Sequence, residues 1–396
     1  MNTVKHLREV AKVIMGQSPP GELYNDDAVG LPLITGAGQF GEIYPLPTQF
    51  SRSGPKSSKV GDIIICIRAT IGDVNWSDRS YYLGRGVAAI RPLDGLDSRY
   101  LWHWLKTQTG NLKKRATGST FKQVKREDIE ALLINPPLLP DQRRIATALD
   151  RADELREKRR QAIKRLDKLL QSVFLEKFGD PITNPKGVPT KRIDQLGLVT
   201  TGNTPSRANP DFFGTAIEWI KSDNLNTPFH IVTRSAEGLS DAGKKVARRV
   251  PAGSSLVTCI AGTPECIGNV GIVDREVAFN QQINAITPGN ETNAYFLYTQ
   301  LTLAKRLVQR ASTASMKGMV SKSSFSQIPL LAPDKQLQDD FGFWFERFLK
   351  LHQAQIDATK KSDDLFYSIQ QRAFDGELFS SHGSPVDISV QPLQPV

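Results

Sequence analysis

Two kinds of hydrophobic patterning alternate along the chain, and each occurs twice. Short runs rich in β-branched residues, as at 60–67 and 255–260, lie between Gly, Pro, Asn and Asp clusters and predict strands joined by tight turns. Helical periodicity follows at 99–114 and 292–310. Residues 143–178 then contain neither proline nor glycine. There Ala148, Ala152, Leu155, Arg159, Ala162, Leu166, Leu169 and Val173 recur in alternating steps of four and three, the spacing of a coiled-coil seam. The positions 196 further on are Trp344, Phe348, Leu351, Gln355, Ala358, Ser362, Leu365 and Ile369, so a second helix keeps the seam in register. At 1.5 Å per residue, about 36 residues reach about 54 Å, longer than a globular domain needs for its own core. Arg159 and Gln355, at equivalent mid-seam positions, predict a polar layer that fixes the register.

The repeat extends into the strand-rich parts. Ile71-Gly72-Asp73-Val74 recurs as Ile267-Gly268-Asn269-Val270, and Ala89-Ile90-Arg91-Pro92 as Ala285-Ile286-Thr287-Pro288, both at 196. Nearer the start, Gly16-Gln17-Ser18-Pro19 answers Gly202-Asn203-Thr204-Pro205 at 186, which predicts a ten-residue insertion or deletion in a loop. The expected fold is α+β: two pseudo-repeated, strand-rich globular domains separated by two long antiparallel coiled-coil helices. The divisions are 1–140, 141–178, 179–332, 333–379 and a disordered tail at 380–396.

Composition adds a partner class. The chain of 396 residues has a formal charge of +10, with 39% hydrophobic and 23% charged residues, an ordinary globular balance. No apolar run approaches a bilayer span, the first residues carry charges rather than a signal-peptide core, and three cysteines make no disulfide framework. These features predict a cytoplasmic protein. Residues 1–140 hold 18 basic against 13 acidic groups and residues 179–332 hold 16 against 11, an excess of five on each domain. The helical segments carry opposite balances, 11 against 7 and 6 against 9. Two equally basic domains on a helical spacer suit a long polyanion gripped at two places, and duplex DNA fits.

Within the first domain, Lys113, Lys114, Arg115 and Lys122 are placed to hold phosphates, while Ser119, Thr120 and Gln123 are placed to reach base edges. Arg68, Thr70 and Arg85 are further candidates. The second domain offers Arg310, Ser315 and Lys317 in the matching place, with Gln281 and Gln282 opposite Arg85, Thr263-Pro264-Glu265 opposite Arg68, and Lys221 after a strand-like run. Equal scaffold positions with unlike side chains would read unlike bases.

Three motifs imitate enzymes. Gly36-Ala37-Gly38-Gln39-Phe40-Gly41 fits a dinucleotide fingerprint, but the prolines at 45 and 47 forbid the helix it needs. Asn135-Pro136-Pro137-Leu138 resembles the amine-holding motif of amino-methyltransferases, but Leu138 cannot stack on a flipped base and no cofactor loop lies upstream. Its prolines read as a rigid hinge into the helix. Five histidines are scattered, Cys259 and Cys266 read as small buried residues, and neither a catalytic set nor a metal site is expected.

With these features in hand, the chain resembles the specificity subunit of type I restriction-modification systems. The resemblance rests on the Gly-x-Ser-Pro and Gly-x-Thr-Pro openings, on Ile-Gly-x-Val in each copy, on Pro136-Pro137-Leu138-Leu139-Pro140-Asp141-Gln142-Arg143 and on Gln370-Gln371-Arg372-Ala373-Phe374-Asp375-Gly376. The second hinge, Ala332-Pro333-Asp334-Lys335-Gln336, departs from it, and the second helix is unusually aromatic at Phe341, Phe343, Trp344, Phe345 and Phe348; of these Trp344, Phe345 and Phe348 exceed what one helix–helix seam requires, and either partly face the modification subunit or belong to the pair's own core. The resemblance implies a non-catalytic chain whose globular copies are target recognition domains, each reading half of an asymmetric bipartite DNA site, with the helices as a ruler between them. It implies two modification subunits that bind S-adenosylmethionine, and restriction subunits that use ATP and Mg. A two-headed DNA-binding regulator that works alone is the alternative.

Overall fold

The computed structural model describes residues 3–118, 122–312 and 318–377. Ser119, Thr120, Ser315, Lys317 and the predicted tail at 380–396 lie outside the described residues. The chain divides into two compact units, Met1–Lys158 with Thr359–Val396, and Arg159–Ala358.

In the first unit, one antiparallel sheet runs Ala11–Met15, Val87–Pro92, Ile63–Cys66, Val74–Trp76. A second runs Tyr24–Asn25, Phe50–Ser51, Leu31–Ile34, Tyr82–Leu83, its last pair parallel. The strand Ile63–Cys66 is apolar at every position because both of its faces are covered. Ile63 and Ile65 enter the core shared with the helices, while Ile64 and Cys66 enter a separate core with Ile34, Tyr81 and Leu83. The second unit repeats the plan with Gly197–Thr201, Ile283–Pro288, Ser255–Thr258, Val270–Ile272 in one sheet. Its other sheet is Gly238–Leu239, Phe213–Ile220, Val277–Phe279, Arg249–Val250. The repeated Ile-Gly has a backbone cause: Gly72 and Gly268 sit at φ +94° and +81°, where a Cβ would strike Thr109 or Lys305.

Strand positions refine the repeat. The offset is 186 at Ala11–Met15 against Gly197–Thr201, 192 at Ile63–Cys66 against Ser255–Thr258, and 196 at Val74–Trp76 against Val270–Ile272. The ten-residue slip is therefore two insertions in the second copy, of six and then four residues. The four-residue one holds the 3-10 turn Pro264–Cys266.

The long helices are Leu139–Phe178 and Lys335–Phe374, 40 residues each, related end to end by 196. Each is divided between the two units. Arg156 meets Asp363 in the first unit, and Asp167 meets His352 and Phe174 meets Phe341 in the second, so the helices run antiparallel. The predicted seam is corrected at its four leucines of one phase. Leu155, Leu169, Leu351 and Leu365 point outward, 42%, 49%, 50% and 53% exposed. Their interior places are taken by the next residue along: Arg156, Leu170, His352 and Phe366, all buried. Arg159, Leu166, Val173, Gln355 and Ile369 are half-buried and Phe348 is buried. The steps run three-four where the sequence pattern suggests four-three, and the two phases differ by one residue. Counting leucines favours the wrong phase because the true one buries an arginine and a histidine, each with an acidic partner. Arg156 is ion-paired with Asp363 in the first unit, and His352 lies beside Asp167 in the second.

Of the aromatics, Phe341, Phe345 and Phe348 are buried against Phe174, Phe178 and Phe296 of their own unit or its helices, and Trp344 packs beside them. Only Phe343 of that group is open, 60% exposed.

Candidate nucleic-acid interface

Where the strands of the first unit end, backbone hydrogen bonds gather the loops that carry most candidate residues. Gln17 N–H donates to the Leu83 carbonyl, Gly84 N–H to Ile34, Ile67 N–H to Gly86, and Val124 N–H to Ile67. Arg68, Thr70, Arg85 and Gln123 are thereby brought to one end of the sheets. The opening motif is part of this arrangement. Gly16 lies so close to the neighbouring strand that a Cβ would sit 2.1 Å from the Gly84 carbonyl oxygen, and the Ser18 hydroxyl accepts from Arg85 N–H at 3.3 Å. In the second unit Gly202 stands 2.1 Å from the Asn280 carbonyl by the same measure, and Thr204 bonds Gln281. Ser18 and Thr204 position the loop that carries Arg85 or Gln281, a role the motif's repetition signals without showing its cause.

Arg68 Nε donates to Gln123 Oε1 at 2.9 Å, and the two residues face one another across an isolated bridge. The corresponding cross-strand pair in the second unit is Ile260 and Met319. This corrects the sequence pairing of Arg68 with Thr263-Pro264-Glu265, which belong to the four-residue insertion. One scaffold position thus presents a guanidinium and an amide in one copy and two apolar side chains in the other.

The helix Thr109–Arg115 ends at this loop cluster, since Thr117 N–H donates to the Gln123 carbonyl. Lys113, Lys114 and Arg115 occupy its last turn, all exposed, as are Arg85 and Lys122. Among the described residues none of these five has an acidic partner, which leaves their charge available to phosphates. Arg310 holds the matching helix end in the second unit, Lys305–Arg310, exposed and also without an acidic partner among the described residues. Gln282 is half-buried and its Oε1 accepts from Ser222 and Asn280 at 3.2 and 2.9 Å. Lys221 departs from the reading: its ammonium lies 2.5 Å from Glu237 and over the Trp219 ring, so its charge is already neutralised.

Each domain is fastened to its long helix by a glutamine that sequence reasoning passed over. Gln142 is 1% exposed. It accepts from Asp97 N–H at 2.8 Å and donates to the Gly95 and Pro137 carbonyls at 2.9 and 2.8 Å. Gln338 accepts from Asn293 N–H at 3.0 Å and donates to the Pro333 and Glu291 carbonyls at 2.8 and 3.4 Å. The second hinge is thin in proline, but it keeps the proline carbonyl and the glutamine that use it. His103 Nε2 and Arg99 Nη1 add contacts to Asp150 on the first helix at 2.9 and 2.5 Å.

The enzyme-like motifs form no enzyme site. The strand Leu31–Ile34 leads into a 3-10 turn, Ala37–Gln39, and no α-helix starts there. Asn135-Pro136-Pro137-Leu138 is the entry to the first long helix, with Leu138 73% exposed. Burial pushes the Cys66 thiol up to about 11 and the Cys259 thiol up to about 12, far from a reactive thiolate, while Cys266 is only half-buried. The histidines are not all scattered: His230 and His352 meet beside Asp167, with ring centroids 4.6 Å apart. No helix among the described residues is long and apolar enough to cross a membrane.

The family described as type I restriction modification DNA specificity domain matches residues 2–165 and 185–360. A putative type I restriction enzyme MjaX specificity subunit of Methanocaldococcus jannaschii is 32% identical over 164 residues, 41% of this chain and 39% of that one. The type I restriction enzyme HindI specificity subunit of Haemophilus influenzae is 32% identical over 158 residues, 39% of this chain and 33% of that one. The chain thus matches less than half the length of these relatives. In three dimensions it resembles the crystal structure of a type I restriction-modification S subunit from M. genitalium, with TM-score 0.60 and 15% identity over 94% of this chain and 96% of the other. A chain from a structural study of complex assembly and conformational transition in a type I R-M system gives TM-score 0.56 and 16% identity, over 95% and 98%. At such identities the likeness is one of fold.

Proposed function

The chain belongs to the type I restriction modification DNA specificity family, and from that premise we propose that it is the non-catalytic address-reading subunit of such a system. Each unit's loop cluster reads one half of an asymmetric bipartite duplex site, and the two antiparallel helices set the number of unread base pairs between the halves. The observation that carries this reading is the doubled scaffold with unlike side chains. Arg68–Gln123 and Arg85 in the first copy become Ile260–Met319 and Gln281 in the second. Lys113, Lys114, Arg115 and Arg310 supply the sequence-independent grip on phosphate. Two modification subunits, carrying S-adenosylmethionine and methylating adenine, clasp the helices, on which Leu155, Leu169, Leu351 and Leu365 are exposed. Restriction subunits using ATP and Mg complete the complex.

The experiment is a methyladenine map of a host genome carrying the gene in three forms. Deletion should erase one bipartite methylation motif. Four residues inserted in both helices, after Lys158 and after Ala358, add about one turn. That form should lengthen the gap while leaving both half-sites unchanged. Altered half-sites with an unchanged gap would refute the ruler, and an unchanged map on deletion would favour a DNA-binding regulator that works alone.

A further inference from the structure

The second unit encloses a polar cluster that the reading of DNA does not use. Asp167 on the first long helix, His230 in the loop after the turn Ser222–Leu225, and His352 on the second long helix converge on one point. His230 Nε2 lies 3.3 Å and His352 Nε2 lies 3.2 Å from the same atom, Asp167 Oδ1. The side chains of His230 and His352 are 10% and 2% exposed. All three facing atoms are buried and lack a hydrogen-bond partner, because neither short contact has hydrogen-bond geometry. Buried polar atoms aimed at one another and left unsatisfied call for a physical cause.

The spacing supplies one. Ligand atoms about 2.0–2.1 Å from a tetrahedral zinc ion stand about 3.3 Å from each other; both histidine–aspartate spacings match this, and all three atoms lie within 4.8 Å of one another. The imidazole of His230 is already oriented as a metal ligand would be, since its Nδ1 is hydrogen-bonded to the Tyr298 hydroxyl at 2.8 Å and its Nε2 faces Asp167. Phe345 and Phe348 pack on the rings and keep that side dry. A cleft lined by Asp167, Asn226, His230 and Tyr298 opens beside the cluster.

The first unit offers an internal comparison. At the helix positions 196 away from His352 and Asp167 stand Arg156 and Asp363, joined directly at 2.5 Å. One copy therefore sets a permanent cation against the half-buried aspartate, and the other sets two neutral-capable imidazoles there. We propose that Asp167, His230 and His352 bind one divalent transition-metal ion of the zinc class, which ties the second recognition domain to both long helices. Two imidazoles and one carboxylate select such ions over Mg2+ or Ca2+.

The test uses the full chain without a histidine tag, stripped by chelator and titrated with Co2+ as a visible probe. One Co2+ per chain should bind with the d–d absorption of four-coordinate cobalt, and Zn2+ should displace it. H352Q and D167N should each weaken Co2+ binding at least tenfold and lose that spectrum, whereas H103Q, at a buried histidine of the first unit, should leave both unchanged. Y298F keeps every ligand and removes only the group orienting His230, so it should weaken binding about 10-fold to 100-fold while the chain stays folded. Zn2+ should raise the melting temperature of the wild type in a concentration-dependent way and not that of H352Q. No saturable uptake by the wild type would overturn the proposal, as would wild-type affinity and spectrum in both H352Q and D167N.

Discussion

Replacing Gln142 by alanine tests how firmly a recognition domain is held to its helix. The side chain is 1% exposed and makes three hydrogen bonds, one accepted from Asp97 N–H and two donated to the Gly95 and Pro137 carbonyls. At about 1 kcal/mol net for each bond the loss is about 3 kcal/mol, and the three stranded backbone groups push it toward the upper part of the range. Asp97 is also the N-cap of Ser98–Thr107, accepting from Arg99 and Tyr100 N–H, so the damage spreads into the first turn of that helix. A change of about 3 kcal/mol is about two orders of magnitude in an opening equilibrium. Native-state hydrogen exchange reads it locally. Amides of Ser98–Thr107 should lose about 100-fold protection in Q142A, while those of Ala294–Leu303 stay at wild-type values. Q338A should do the reverse, and Q142E, which sets a buried carboxylate oxygen against the Gly95 and Pro137 carbonyls, should lose at least as much protection as Q142A. A loss below about threefold in Q142A, or equal losses in both units, would refute the clamp.

Three further outcomes are expected. L149A, at a fully buried helix position, should cost about 2–5 kcal/mol in urea unfolding, and L155A less than about 0.5 kcal/mol; equal costs would restore the four-three seam. Changing Lys113, Lys114 and Arg115 together to alanine should weaken binding to every duplex and reduce the slope of log K against log salt by about 2.7, from about 0.9 per phosphate contact, and an unchanged slope would remove them from the interface. Burial raises the Asp150 carboxyl, but hydrogen bonds with His103 and Arg99 outweigh it and hold the group below the ordinary value of 3.8. Its stabilising contribution is present above that value and is lost as pH falls through the lower folded one, so D150N should flatten the acid limb of a stability profile below pH 3.8; an acid limb as steep as the wild type's would refute it.

The sequence carries the architecture in strong signals: a doubled motif order, two segments free of helix breakers, and one offset that relates the helices end to end. The phase of the helices was less legible, because Leu155 and Arg156 compete for one interior place and only three-dimensional pairing with Asp363 shows why the arginine wins. The loops of the interface could be named as segments, yet the pairing of Arg68 with Ile260 rather than Thr263 depends on strand register. Gln142 and Gln338 are single polar residues whose role is set by carbonyls in their own unit and shows in no local pattern. Asp167, His230 and His352 lie too far apart in the chain for any spacing rule to join them.

The small ladders at the base of each domain bear on how such a protein changes its target. Lys5–His6 pairs with Leu133–Ile134, and Thr190–Arg192 with Pro329–Leu331, so each domain opens and closes on two antiparallel strands lying side by side. A segment whose entrance and exit are adjacent is exchangeable as a cassette. A foreign domain closing on the same two strands, and offering backbone groups to Gln142 or Gln338, would inherit the helices in their existing register. On the function proposed above, replacing a whole domain would change the half-site read in one step, with no compensating change along the helices.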